Sequence, residues 1–398
     1  MTKVGIYLRA KPEMGGTLQY NLSILKAAEL LPRDRFEIVV AFSSDYWRNK
    51  IQRFDLKKLY LGNAFISRAS VVLWHRLHLP VSVWRKLAPF WHPLAREFIK
   101  QECDVWVFPS QDSMSYWMPV RSLSAIHDLM HRYESGFSES ASFFEYRLRE
   151  RLYSAMTQWC AGILVDSELG RRQVHDSYGT NMNKLYSLPF VPPDYIYRDV
   201  SAEEKNSLRR KYSLPDKFFF YPAQFWKHKN HELLIKGLHI ALDVCPDMAL
   251  VFSGGRKNNY DCVMELIGEL GLGDRVHVVG YISDDEMSAM YHCAHALLMP
   301  TFYGPTNIPP LEAMACGCPV AVSRIYGMPE QLGDAALYFD PRSEDEVSRV
   351  MVDLWSDTSL CDVMKTKAAR KSDAWGNAAF SERLGQILEE VSLSRLAG

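Results

Sequence analysis

The sequence predicts an α/β protein built from two consecutive Rossmann-like domains, and three observations lead there. The chain has 398 residues, more than one hydrophobic core usually supports, so two domains are expected. Two series of short β-type apolar runs follow one another, each run separated from the next by enough chain for a helix. Between the series lies Leu188-Pro189-Phe190-Val191-Pro192-Pro193, which can continue neither a helix nor a β-ladder and reads as a linker.

In the first series Val4-Gly5-Ile6-Tyr7-Leu8 leads through Pro12 to Gly15-Gly16, after which Leu18, Leu22, Leu25 and Ala28 recur at helical spacing: strand, glycine loop, helix. Further strands are expected at Ile38 to Phe42, Val105 to Phe108, Ala125 to Ile126, Ile163 to Val165 and Leu185 to Leu188. The second series places strands at Phe218 to Tyr221, Leu250 to Ser253, Val276 to Val279, Ala296 to Met299 and Val320 to Val322. Helices are expected between them at His231 to Asp243, Tyr260 to Leu270, Asp284 to Cys293, Pro310 to Ala315 and Glu344 to Trp355. The expected domains are 1–193, 194–376 and a tail, 377–398, whose face of Phe380, Leu384, Ile387, Leu388 and Val391 suits packing back on the first domain.

Hydrophobic residues make up 47% and charged residues 23%, ordinary values that argue against disorder or a fibrous repeat. A formal net charge of -1 gives no global field for nucleic acid. The eight cysteines show no Cys-x-x-Cys or zinc-like spacing and read as reduced, small hydrophobes. No apolar run reaches the roughly 18 residues of a membrane span, and Val4 to Leu8 is too short for a signal-peptide core, so the expected location is the cytoplasm.

Most chemical information sits in Thr301-Phe302-Tyr303-Gly304-Pro305-Thr306-Asn307-Ile308-Pro309-Pro310-Leu311-Glu312-Ala313-Met314-Ala315-Cys316-Gly317-Cys318-Pro319-Val320. This is strand, tight loop, helix, strand. Gly304, Pro305 and Asn307 form turns and Pro309-Pro310 suits a helix start, so successive amides of the loop through Pro305, Thr306, Asn307 and Ile308, proline itself having none to offer, are expected to point toward a bound anion. Glu312, placed in the first turn, can accept hydrogen bonds from two ribose hydroxyls; alternatively it only complements the helix dipole.

That segment resembles the nucleotide-sugar motif of glycosyltransferase family 4, in which a Leu-Glu-Ala-Met-Ala helix is followed by Gly, Pro and a strand. The resemblance extends to Gly15-Gly16, His127-Asp128, Ser167-Glu168 and Gly327-Met328-Pro329-Glu330. It implies a GT-B fold, two Rossmann-like domains facing a central cleft, and a retaining transfer from a nucleotide sugar. His127, just past a strand, matches the family's donor-sugar histidine, with Asp128 orienting the imidazole or contacting the acceptor; a structural role is the alternative for each. Weaker candidates are His131, Arg132, Ser167 and Glu168. Gly15 and Gly16 would let backbone approach the donor.

Two positions depart from the family. The glutamate usually found eight residues before the helix glutamate is Gly304 here, leaving amides of Thr306 and Asn307 or the Asn307 side chain to reach the sugar. The usual arginine is Gln224, while the usual lysine is present as Lys229. Lys227, Arg9, or Arg256 in Ser253-Gly254-Gly255-Arg256 could supply the missing charge. Cations and amide dipoles aimed at a diphosphate leaving group stabilise the transition state. No Asp-x-Asp follows a strand and no metal-ligand spacing occurs, so no metal or other cofactor is expected. The expected route is front-face displacement without a protein nucleophile. His127, Lys229 and Glu312 are the residues assigned to catalysis.

Between Ser67 and Lys100, Arg68, Arg76, Arg85, Lys86, Arg96 and Lys100 interleave with Trp74, Trp84 and Trp91 against a single acid, Glu97. This composition suits an anionic membrane interface and a lipid-linked acceptor, or else a solvated helical face. No nucleic-acid motif accompanies it. The sequence thus points to a hexosyltransferase, with a sugar such as mannose, acting in polysaccharide or glycolipid synthesis. A degenerate GT-B binding protein and a GT-B sugar-nucleotide epimerase are the competing readings.

Overall fold

The computed structural model describes residues 1–62, 74, 80–137 and 143–394. The chain divides into two compact units: the first comprises 1–129, 143–189 and 377–398, the second 130–142 and 190–376.

In the first unit, seven described strands form one parallel sheet: β1 Thr2–Leu8, β2 Phe36–Phe42, β3 Lys57–Tyr60, β4 Val105–Phe108, β5 Ser122–Ala125, β6 Gly162–Val165 and β7 Leu185–Ser187. Their order is β3-β2-β1-β4-β5-β6-β7. The four-residue strands β4, β5 and β6 are buried throughout, as a parallel sheet covered on both faces requires. β3 is a correction to the sequence reading. It is a lysine-bearing edge strand with little apolar content, a common way to blunt a sheet edge and one that hides it from a search for apolar runs. β5 lies three residues earlier than expected, because Ser122 and Ser124 are buried in place of apolar residues.

The helix Asn377–Leu393 packs in this unit. Phe380, Leu384, Ile387, Leu388 and Val391 are buried, Ser381 donates to the Ala27 carbonyl at 2.7 Å, and Arg35 meets Glu389 at 2.7 Å.

The helices Val81–Trp91 and Pro93–Lys100, with Trp74 packed edge-on against Trp84 at 5.2 Å, carry the described part of the basic and tryptophan-rich segment; Ser67, Arg68 and Arg76 lie outside the described residues. Two residues named for an interface turn inward. Trp84 is fully buried against Trp91 and Trp117, with its indole N–H on the Trp117 carbonyl at 2.9 Å. Arg85 donates to the carbonyls of Tyr116, Met118 and Val120, and burial lowers its pKa. On the first of these helices Val83, Lys86, Leu87 and Phe90 are exposed in one stripe, with Trp91 beside it, and on the second Arg96 and Lys100 are exposed.

The second unit has six described parallel strands, β8 Phe219–Pro222, β9 Leu250–Ser253, β10 Val276–Gly280, β11 Ala296–Met299, β12 Val320–Ser323 and β13 Leu337–Phe339, in the order β10-β9-β8-β11-β12-β13. β13 was not visible as a separate run. The chain reverses its direction of travel across the sheet between β8 and β11. In such sheets ligands bind beyond the carboxyl ends of the strands at this switch point. The loops 223–230 and 300–307 leave those two ends.

Candidate active site

After β11, Thr301 sets the loop. Its hydroxyl accepts from the Tyr303 amide at 3.1 Å and lies 3.3 Å from the His228 carbonyl, which also accepts from the Phe302 amide at 2.8 Å. The imidazole of His228 stacks on Tyr303 with centroids 4.0 Å apart. Gly304 follows with φ +96°, and a Cβ there would lie 2.6 Å from Asn307 Nδ2 and 2.9 Å from its Oδ1. The position of the family's glutamate therefore has neither the backbone conformation nor the space for a side chain.

Asn307 is held on three sides. Its amide donates to Gln331 Oε1 at 2.9 Å, its carbonyl accepts from Gln331 Nε2 at 2.8 Å, and its Nδ2 donates to the Tyr303 carbonyl at 3.3 Å. This corrects the expectation of an amide cradle at the helix start. The Asn307 amide is spent on Gln331, and of the first three positions of the helix Ile308–Ala315 only Ile308 has an N–H. Gln331, on the short helix Met328–Leu332, gave no signal in the sequence because its role depends on two segments meeting across 24 residues.

Glu312 lies in the second turn of its helix, not the first, which removes the dipole-complement alternative since that effect fades within one turn. The carboxylate is 4% exposed. Oε1 accepts from the Tyr195 hydroxyl and Oε2 from the Tyr291 hydroxyl at 2.7 Å, while burial raises the Glu312 pKa. Tyr195 belongs to the turn Asp194–Tyr197 and Tyr291 to the helix Asp284–Cys293; neither stood out as a site residue in the sequence.

On the β8 side, the 3-10 turn Lys227–Lys229 precedes the helix His231–Ala241. Asn230 takes the left-handed conformation at φ 59° and its Nδ2 donates to the carbonyls of Pro300 and Pro341 at 3.1 and 2.8 Å, tying this turn to the end of β11. The Lys229 carbonyl accepts from the Tyr221 hydroxyl at 2.9 Å, so the lysine backbone is fixed on both sides of its side chain. Gln224 accepts from the Trp226 indole at 3.0 Å. Behind the turn, His231 stacks on Phe225 with centroids 4.4 Å apart, and burial depresses its pKa to about 3.

Gly254 closes the β9 side. At φ +140°, a Cβ would sit 2.3 Å from the Ala223 carbonyl oxygen; its amide donates to the Gly280 carbonyl at 2.8 Å. Gly255 has open space around its Cα, and the Arg256 guanidinium lies 4.5 Å over the Tyr260 ring. Within this unit Gln224, Lys229, Gly254 to Arg256 and Pro305 to Asn307 lie on the segments that follow β8, β9 and β11, and Ile308 and Glu312 on the helix after the last of them.

Gly15, Gly16 and His127 belong to the first unit. Gly15, at φ +48°, caps the helix Gly16–Leu30 with nothing near its missing Cβ. His127 Nε2 lies 3.1 Å from the Pro109 carbonyl, its ring meets Tyr20 edge to face at 4.7 Å, and burial lowers its pKa, so it is neutral near pH 7. Arg9 pairs with Asp112 at 2.8 and 3.0 Å, and that carboxylate raises the arginine pKa; its charge is already balanced. Among the described residues, no three His, Cys, Asp or Glu are grouped to hold a metal ion.

Comparison with known proteins agrees with this geometry. Residues 204–371 match the family model of Glycosyl transferases group 1. The serotype-specific mannosyltransferase WbdA of Escherichia coli is 30% identical over 195 residues, 48% of this chain and 24% of that protein. The O-antigen chain mannosyltransferase B of Escherichia coli is 28% identical over 244 residues, 59% of this chain and 61% of that one. The chain thus spans between a quarter and three fifths of these relatives' lengths. Among solved structures, Anabaena HepE in complex with UDP-glucose superposes with a TM-score of 0.72 at 16% identity, covering 98% of this chain and all of that one. WaaG, a glycosyltransferase involved in lipopolysaccharide biosynthesis, gives 0.67 at 16% identity over 97% and 99%. The chain has the GT-B fold, and Lys229, Gly254 and Glu312 lie within the residues similar to Glycosyl transferases group 1.

Proposed function

We propose that this chain is a retaining hexosyltransferase resembling glycosyltransferase family 4, moving a sugar from a nucleotide diphosphate sugar to a glycan or lipid-linked acceptor in polysaccharide or glycolipid synthesis. The observation that carries the reading is that Lys229 follows β8 and the loop and helix of Glu312 follow β11, the two strands that flank the switch point, inside the residues that match the Glycosyl transferases group 1 model. The mannosyltransferase names of the relatives favour a mannose donor, and GDP-mannose is the first to try.

In the reaction, the bond between the anomeric carbon and the diphosphate oxygen breaks as the acceptor oxygen bonds to that carbon on the same face. The departing oxygen takes the acceptor's proton. Lys229 neutralises the growing phosphate charge, Glu312 holds the ribose, and His127 contacts the donor sugar; no metal enters these steps. The first unit serves the acceptor. A second reading, a GT-B protein that binds the donor without turning it over, draws on Gly304 and on Gln224, whose side chain is occupied by Trp226. The epimerase reading has no separate observation in its favour.

The test is a thermal-shift screen of EDTA-treated protein against GDP-, UDP-, dTDP- and ADP-sugars. One nucleotide should raise the melting temperature, by roughly 3 kcal/mol of added stability at a hundred times its Kd. No response to any would remove the donor-binding claim.

No described helix is long and apolar enough to cross a membrane. We place the protein in the cytoplasm against the inner membrane face, through the stripe Val83, Lys86, Leu87 and Phe90 with Trp91, Arg96 and Lys100. Phe90→Glu with Lys86→Glu should abolish a salt-sensitive association with phosphatidylglycerol vesicles. Binding that survives both changes would rule this face out. Arg85 is unsuitable for the test because its change would break three internal hydrogen bonds.

A further inference from the structure

Glu312 poses a problem for the donor site as proposed. A carboxylate meant for ribose hydroxyls is 4% exposed, and each of its oxygens already accepts a phenol hydrogen. Each oxygen keeps a second lone pair, but with Glu312 this deeply buried a diol can approach only if a side chain that covers the carboxylate moves aside. The two phenols differ in how firmly they are held. Tyr291 is 1% exposed inside the ten-residue helix Asp284–Cys293, with its ring edge on Phe220 at 5.5 Å. Tyr195 is half-buried on the four-residue 3-10 turn Asp194–Tyr197, which directly follows Pro192-Pro193. That turn is tied to the same helix by the Ser288 hydroxyl, which donates to the Ile196 carbonyl at 3.1 Å.

We propose that Tyr195 is a latch on the donor site: its hydroxyl occupies the Glu312 oxygen that the ribose diol of a nucleoside diphosphate takes, and nucleotide binding displaces Tyr195 while Tyr291 keeps the carboxylate oriented. The inference rests on the ribose-contact role of Glu312 given above. The exchange is chemically matched, because an O–H donor is replaced by an O–H donor on the same buried acceptor, and no unsatisfied carboxylate oxygen is left behind. Binding must then break the phenol hydrogen bond that the free site holds. The latch also makes the 194–197 turn, where the chain leaves the proline cluster, report on nucleotide occupancy.

The experiment is calorimetric titration of the full chain with GDP and with UDP, for the wild type, Tyr195→Phe and Glu312→Gln, together with hydrogen exchange of the 194–197 amides. Tyr195→Phe keeps the ring and removes the competing hydroxyl, so it should bind the accepted nucleotide about three- to tenfold more tightly, and nucleotide should speed exchange across 194–197 in the wild type. Unchanged or weaker binding by Tyr195→Phe, or slowed exchange at 194–197, would mean that Tyr195 only positions Glu312, and the latch fails while the ribose contact stands. Glu312→Gln separates the two claims. If it leaves affinity for the accepted nucleotide unchanged, or if the wild type binds neither GDP nor UDP, the ribose contact fails and the latch with it.

Discussion

Gly304→Glu, which installs the carboxylate that related enzymes carry at this position, is expected to inactivate the protein rather than improve it. The φ of +96° costs about 1–3 kcal/mol for any residue with a Cβ. The new atom would also press on the Asn307 side chain, which cannot give way because Gln331 and the Tyr303 carbonyl hold that residue. The loop must rearrange, and the helix of Glu312 starts from it. Turnover should fall about a hundredfold or more, since displacements near 1 Å have effects of that size. Gly304→Ala should lose nearly as much, showing that the Cβ and not the charge is responsible. A Gly304→Glu variant with higher turnover would show that the loop is simply lacking its glutamate.

Lys229→Met should lower kcat/KM by about two to three orders of magnitude, the usual loss when a charge aimed at the developing anion is removed from an acyl- or phosphate-leaving site. Two of the three candidate substitutes are engaged: Arg9 is paired with Asp112, and Arg256 lies over Tyr260. Methionine keeps the aliphatic stem and leaves the backbone-carbonyl contact with Tyr221 in place, and a melting curve checks that the fold is retained. A variant that retains turnover with an intact fold would move the phosphate role to another cation. Both measurements need only steady-state kinetics and a melting curve.

These two residues mark the boundary of what the sequence disclosed. The stretch Leu311 to Val320 was legible because its chemistry is local: a short helix, Gly317, Pro319 and the start of an apolar strand in direct succession. Lys229 was legible for the same reason, lying between a strand and a helix of clear periodicity. Gly304 was visible as a departure, but its cause was not, because the crowding comes from Asn307 and the clamp from Gln331. Glu312 was identified by residue type but placed one turn early, and the two tyrosines that enclose it come from positions 195 and 291, joined only by the tertiary fold. The sheets show the same division. Runs of Val, Ile and Phe marked the central strands, whereas β3, with two lysines, and β5, with two buried serines, carry compositions that a search for apolar segments passes over.

The most direct test of the transferase account follows the sugar itself: EDTA-treated protein is incubated with the donor that stabilises it and with an extract of lipid-linked and free glycans, and the labelled hexose is traced. The account predicts that label enters an acceptor in an amount equal to the nucleoside diphosphate released, and only when acceptor is present. Label that stays on the nucleotide, whether as the unchanged donor or as a different sugar nucleotide, would contradict it.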